Sequence, residues 1–268
     1  MCKRAAILLA MSMLTVLGTT YAQFQGRRGR FYERDLPMPA DANEKTEWAF
    51  ARLRYSTHEM FSYSGRGWGG GSWTTDGPKA ERQFVLGVRR LTRLHTRSVE
   101  QVVDLDNDEV YNWPWIYGVE VGHWQLSDTQ VVKLRDYLNR GGFLMVDDFH
   151  GTREWAIFVE SMNKVFPGRA IVELQSSDAI FHVIYDLDQR VQVPGISPLM
   201  RGITYEQDGY EARWRGIYDD KGRVVVAICH NMDLGDAWEW ADSPDYPEQF
   251  TSLAYRIGVN YIIYAMTH

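Results

Sequence analysis

Apolar and polar positions along the chain repeat with two periods, and the switches between them mark its elements. Residues 47–55 alternate, with Ala49, Ala51, Leu53 and Tyr55 on one side and Trp48, Phe50, Arg52 and Arg54 on the other, which predicts a first strand. Phe84, Val85, Val88, Leu91 and His95 then recur at helical spacing after Asp76-Gly77-Pro78, where the aspartate offers a cap and the proline suits a first turn. A strand-like run at 116–121 follows a Trp113-Pro114-Trp115 turn. Ser127 and Gln130 make a capping box for a helix whose buried stripe is Val131, Leu134, Tyr137 and Leu138. Gly141 closes that helix, and the unbroken apolar run 143–146 reads as a strand covered on both faces.

The remaining order follows from the same signals. Thr152 offers a cap for a helix over 153–165, closed by Pro167-Gly168, and 171–174 reads as the next strand. Strands at 212–218 and 223–229 are joined by the hairpin signal Asp219-Asp220-Lys221-Gly222. A last helix runs over about 247–266 and buries Phe250, Leu253, Ala254, Ile257, Tyr261 and Tyr264. Strands alternating with helices predict a single α/β domain over 46–268. Its sheet is mainly parallel, covered by helices on both faces, with an antiparallel hairpin near one edge.

The first residues change the picture of where this domain works. Lys3 and Arg4 precede an apolar stretch, and Thr20-Tyr21-Ala22 resembles a small-x-small cleavage site, which reads as a signal peptide over 1–22. The apolar core is short for a membrane span, and no later stretch is long and apolar enough to be one. An exported chain, periplasmic or secreted and without a transmembrane segment after cleavage, is expected. Residues 23–45, rich in Arg, Pro, Asp and Gly, read as a disordered linker. After cleavage Cys229 stands alone, so no intramolecular disulfide is available. Its place at the end of an apolar strand predicts a buried, inert thiol.

Loss of Lys3 and Arg4 makes the formal charge of −6 two units more negative, which argues against a nucleic-acid partner. The basic cluster Arg27, Arg28, Arg30 and Arg34 reads as a solvated tail. The segment 64–73 carries five glycines and two tryptophans and could fold over a site as a flap. It lacks the Lys-Ser/Thr pair of a phosphate loop.

Two polar constellations stand where strands end. Asp147, Asp148 and His150 follow the apolar run 143–146, and adjacent carboxylates on a strand point to opposite faces, so only one of them can aim with His150. His230, Asn231 and Asp233, followed by Asp236, Trp238 and Glu239, crowd the end of the strand that closes at Cys229. Such a segment cannot pack as core without partners for each polar group. Oxygen and imidazole groups in this mix could hold a divalent cation at Asp148, His150, His230 and Asp233, and the tryptophans could stack on sugar rings. No His-Glu-x-x-His, calcium-loop or Gly-x-Ser-x-Gly motif supports a definite chemistry, and no cofactor is identified.

The chain resembles the bacterial family called domain of unknown function 4159. The resemblance rests on WAFARLRY (48–55), LRDYLNRGGFLMVDD (134–148), HNMDLGDAWEWAD (230–242) and the tail SLAYRIGVNYIIYAMTH (252–268). It implies an envelope location and no established activity. The helix, Gly-Gly and apolar strand are also similar to class I glutamine-amidotransferase-like and trehalose-utilisation-type domains, which implies a three-layer, flavodoxin-like sandwich. Those amidotransferases keep a cysteine nucleophile at a strand-to-helix elbow, where this chain has Asp147 and Asp148, so glutaminase activity is not expected.

The leading expectation is a non-enzymatic binding module of the cell envelope. It would hold a small-molecule or glycan ligand, or an envelope protein, near Asp148, His150, His230 and Asp233. The alternative is a hydrolase of glycans or amides, metal-assisted, with Asp148 or Glu239 as base and His230 as ligand or acid. A third reading makes both constellations purely structural polar corners.

Overall fold

The apolar runs become the centre of a seven-stranded sheet, in a computed structural model that describes residues 38–62 and 72–268. The expected signal peptide, the arginine cluster and the 64–71 part of the glycine-rich segment lie outside the described residues. The strands are β1 (Ala51–Arg54), β2 (Ser56–Thr57), β3 (Gln101–Asp104), β4 (Trp115–Val119), β5 (Trp124–Gln125), β6 (Phe143–Asp147), β7 (Val172–Glu173), β8 (Arg213–Tyr218) and β9 (Val224–His230). The helices are α1 (Glu59–Ser62), α2 (Lys79–Leu91), α3 (Asp128–Asn139), α4 (Gly151–Val165), α5 (Ile196–Met200), α6 (Leu234–Glu239) and α7 (Glu248–Thr267).

The large sheet runs β3-β1-β4-β6-β9-β8-β7, and β2 and β5 form a separate antiparallel pair. Strands β3, β1, β4, β6 and β9 are mutually parallel. The predicted hairpin is β8 on β9, and the short β7 pairs antiparallel with β8 at the edge. Chain order reverses between β1 and β4, and in such open sheets that switch point and the carboxyl ends of the strands are where ligands collect.

Alternation along the strands feeds two cores. β6 sends Phe143 and Met145 to one face and Leu144 and Val146 to the other, while β4 sends Trp115, Tyr117 and Val119 to the first and Ile116 to the second. Phe84 of α2, Trp238 of α6 and Ile257 and Tyr261 of α7 cover the first face. Leu134 and Leu138 of α3 and Phe158 and Met162 of α4 cover the second, which completes three layers.

The capping box of α3 is present as read. Ser127 accepts from the Gln130 amide at 3.3 Å, and the Gln130 side chain accepts from the Ser127 amide at 3.0 Å. Gly141, at φ 103°, ends that helix in the left-handed region that glycine enters freely. Ser127→Ala should cost about 1 kcal/mol in urea unfolding; an unchanged midpoint would show that the cap is dispensable.

The two other expected caps are corrected. Lys79 opens α2 without a side-chain cap, because Ala80 N–H donates to the backbone carbonyl of Asp76 and leaves the carboxylate free to turn elsewhere. Thr152 lies inside the first turn of α4. Its amide and hydroxyl instead donate to the Asp208 carboxylate at 2.9 and 2.7 Å, so the cap comes from a distant loop. In the stretch read as linker, residues from 38 onward are held on the domain. Asp41 accepts from the amide and hydroxyl of Ser98 at 3.0 and 2.8 Å, and Ala42 is buried.

Candidate functional site

Asp147 and Asp148 part company at the end of β6, as strand alternation requires. Asp147 is fully buried and its Oδ2 accepts from Tyr117 Oη at 3.0 Å and from the Leu234 and Gly235 amides at 2.7 and 3.1 Å. It therefore pins the start of α6 to the sheet. Burial pushes its carboxyl up to about 7 against these three donors. Asp148 turns the chain at φ 53°, and its Oδ1 lies 3.1 Å from His150 Nε2. Burial first, and then Glu120, Asp76, Glu206 and Asp147, push the Asp148 carboxyl well above its usual range. Burial also lowers His150 to about 4, so its imidazole is neutral at pH 7, with Nδ1 sealed and unpartnered.

Most of the second constellation holds structure together. His230 Nε2 meets the Gly151 carbonyl at 3.2 Å, and its ring lies 4.9 Å from Phe149 and 4.7 Å from Trp155. Burial lowers His230 to about 4, so the neutral ring donates to that carbonyl at pH 7. Asn231, at φ 63°, accepts from the Gly151 amide at 2.9 Å and donates to Glu211 O at 2.8 Å. These bonds fasten the β6–α4 turn to the end of β9. Trp238, expected as a stacking platform, is instead a core residue whose ring sits 4.4 Å from Phe84. The short helix α6 turns it inward.

Carboxylates from several segments meet beside α6. Asp233 caps the helix through the Asp236 amide at 2.7 Å. Asp236 Oδ2 accepts from the Ile196 amide at 2.7 Å, and its Oδ1 accepts from Trp240 Nε1 at 3.2 Å. Asp76 reaches in from the loop before α2, and oxygens of Asp76, Asp233 and Asp236 lie within 4.8 Å of one another. Burial and then neighbouring acids, Asp236 and Glu239 at Asp76, Asp148 and Asp236 at Asp233, push both carboxyls well above their usual range. Glu206, half-buried on the long loop before β8, is pushed up by burial and by Asp236.

Of the four residues expected to hold a metal, only Asp233 belongs to this group among the described residues. His230 uses its ring on Gly151, and His150 pairs with Asp148. Sequence reading gives Asp76 only as a helix cap and Glu120 only as part of the strand-like run 116–121, and Glu206 stands in a loop without periodicity. Backbone strain would have flagged two of them: the non-glycine residues with positive φ among the described residues are Asp76, Glu120, Asp148, Gln207 and Asn231. Strain of this kind costs energy and gathers where geometry serves a site.

His123 borders the acids and bridges two more of them. Its Nδ1 lies 3.1 Å from Glu120 and its Nε2 3.1 Å from Glu154, with Ser72 Oγ 3.0 Å from Nδ1. Burial opposes its charge, but the Glu120 and Glu154 bonds outweigh burial and hold it at about 9. Glu154 also accepts from the His150 amide at 2.6 Å and from Gln207, so the clamp spans β4, α4 and the long loop.

The fold and site together define a doubly covered α/β domain with an acidic cluster at its strand ends. The chain belongs to the family described as Domain of unknown function (DUF4159), whose model matches residues 49–266. No curated protein matches it.

Proposed function

We propose that this chain is an exported binding module of the cell envelope that takes a cationic ligand, a metal ion or an amine, at the acidic cluster beyond the ends of β4, β6 and β9. The observation that carries the reading is the approach of Asp76, Asp233 and Asp236 oxygens to within 4.8 Å. Like charges held this close in partial burial either share protons or gain from a cation. Export rests on Lys3, Arg4 and the apolar stretch after them. The third reading describes Asp147, His230 and Asn231 well, since their bonds are internal. The hydrolase reading has less behind it. Cys229 is buried with its thiol pushed up, and Asp148 is 9% exposed and paired with His150.

Thermal melts of the full mature chain against Ca²⁺, Mg²⁺, Zn²⁺, spermidine and a neutral oligosaccharide test the proposal. Stabilisation by at least one cation and none by the sugar is expected. Asp76→Asn should melt higher than wild type without ligand, by a few degrees for about 1 kcal/mol of relieved repulsion, and should lose the response. A wild-type protein indifferent to every cation would sink the reading.

A further inference from the structure

A cleft of about 650 Å³ opens between the end of α2, the turn after it, the turn at Ile184 and Ile263 of α7. That size is within the range of small-molecule sites, about 300 to 1,000 Å³. It lies at the amino ends of the strands, away from the acidic cluster: Thr96 bridges to Trp48 just before β1, and Tyr264 Oη accepts from the Val224 amide where β9 begins. Leu91, Leu94, Ile184 and Ile263 form its apolar floor. Leu91 is 46% exposed and Ile184 52%, so two large apolar side chains meet water on one concave surface. The walls are fixed from behind. Fully buried Asn260 accepts from the Ile184 and Tyr185 amides at 3.2 and 2.9 Å. The Thr92 hydroxyl donates to Val88 O at 2.7 Å and accepts from the Leu94 amide at 3.1 Å.

Two guanidiniums stand beside this floor. Arg89, in the last turn of α2, is spent on the Thr96 carbonyl, Ser98 and Asp41. Arg90 and Arg93 line the cleft, and among the described residues neither has a hydrogen-bond or ion-pair partner. One acid stands against them, Glu47, whose Oε2 accepts from the His95 amide at 2.9 Å. The lining therefore has an excess of one positive charge beside an apolar floor. We infer that this cleft binds a single-chain amphiphile with a monoanionic head, a long-chain carboxylate. Its chain lies on Leu91, Leu94, Ile184 and Ile263, and its head on Arg90 and Arg93. The planar fork of a guanidinium matches the two oxygens of a carboxylate. A dianionic head such as a phosphate monoester would be repelled more strongly by Glu47.

The test is calorimetric titration of the full mature chain with sodium dodecanoate, kept below the concentration at which it forms micelles. One dodecanoate per chain is expected. Replacing both Arg90→Gln and Arg93→Gln should weaken binding about tenfold, and Ile184→Ser about fivefold. Val132→Ser, on α3 at the other face of the sheet, should bind as wild type does. All four positions are exposed, so each variant should melt as wild type does. Dodecyltrimethylammonium has the same chain with the opposite charge, and acetate has the head without the chain; neither should bind. No uptake of dodecanoate, equal uptake of dodecyltrimethylammonium, or full affinity in the double arginine variant overturns the site. Binding to anionic phospholipid vesicles without uptake of monomeric dodecanoate also overturns it, and makes this face a membrane contact. The result is independent of the cation melts, which probe the other end of the sheet.

Discussion

Replacing Arg52 by methionine should destabilise the protein by about 3 to 5 kcal/mol, the cost typical of stranding one partner of a buried ion pair. Arg52 is 1% exposed, pairs with Glu81 of α2, and donates to the carbonyls of Trp73 and Thr75 at 2.9 and 3.0 Å. Its guanidinium also lies 5.5 Å from the Tyr117 ring centroid. Methionine fills much of the volume, but it leaves the Glu81 charge and two carbonyls without a donor. The double variant Arg52→Met, Glu81→Met should recover most of the loss, because the pair's attraction and its desolvation nearly cancel when both charges go. Urea unfolding of both single variants and the double variant gives the coupling. A single variant within about 1 kcal/mol of wild type would show that the pair is not buried in solution. Since Arg52 fastens the segment that carries Asp76, the single variant should also weaken cation binding.

The fold and the site were legible to different depths. Phe143 to Val146 gave away β6 because burial on both faces leaves no polar position to break the run. Strands β3 and β5 were missed. Each is short, and each is a strand through its partner, Ala51↔Gln101 for β3 and Ser56↔Gln125 for β5, not through its own pattern. Helix α6 hid in a polar segment, although Leu234, Ala237 and Trp238 stand at helical spacing and are fully buried. That omission turned a core tryptophan into an expected sugar platform. Asp148 and Asp233 could be read because polar residues directly after apolar runs mark strand ends. Asp76 and Glu206 could not, because only the three-dimensional course of two loops brings them to α6. Arg52 was placed on the strand face opposite Ala51 and Leu53, and no local signal tells that α2 brings Glu81 to cover it.

Stability should rise as pH falls from 9 to about 6.5, the unperturbed histidine value, and below it the raised carboxyls and the lowered histidines oppose one another. His123, held at about 9 against an ordinary 6.5, contributes fully below 6.5 and loses its contribution as pH rises through 9. With about 1.4 kcal/mol per unit, that is on the order of 3 kcal/mol, carried by the bonds to Glu120 and Glu154. The raised carboxyls act in the same direction. Asp147, at about 7, costs stability above that value, and the cost fades as protons arrive; Asp76, Asp148 and Asp233 share its sign. His150 and His230 oppose them. Both are lowered to about 4, so below 6.5 the unfolded chain takes protons that the folded chain refuses, and the cost is complete by pH 4. Glu154, lowered because the His123 bond outweighs its burial, adds a further loss in acid. Melting temperatures between pH 6.5 and 10 should trace this alkaline limb, and His123→Gln should flatten it. An alkaline limb equally steep in His123→Gln would mean that the clamp carries none of it and that the carboxyls alone set the slope.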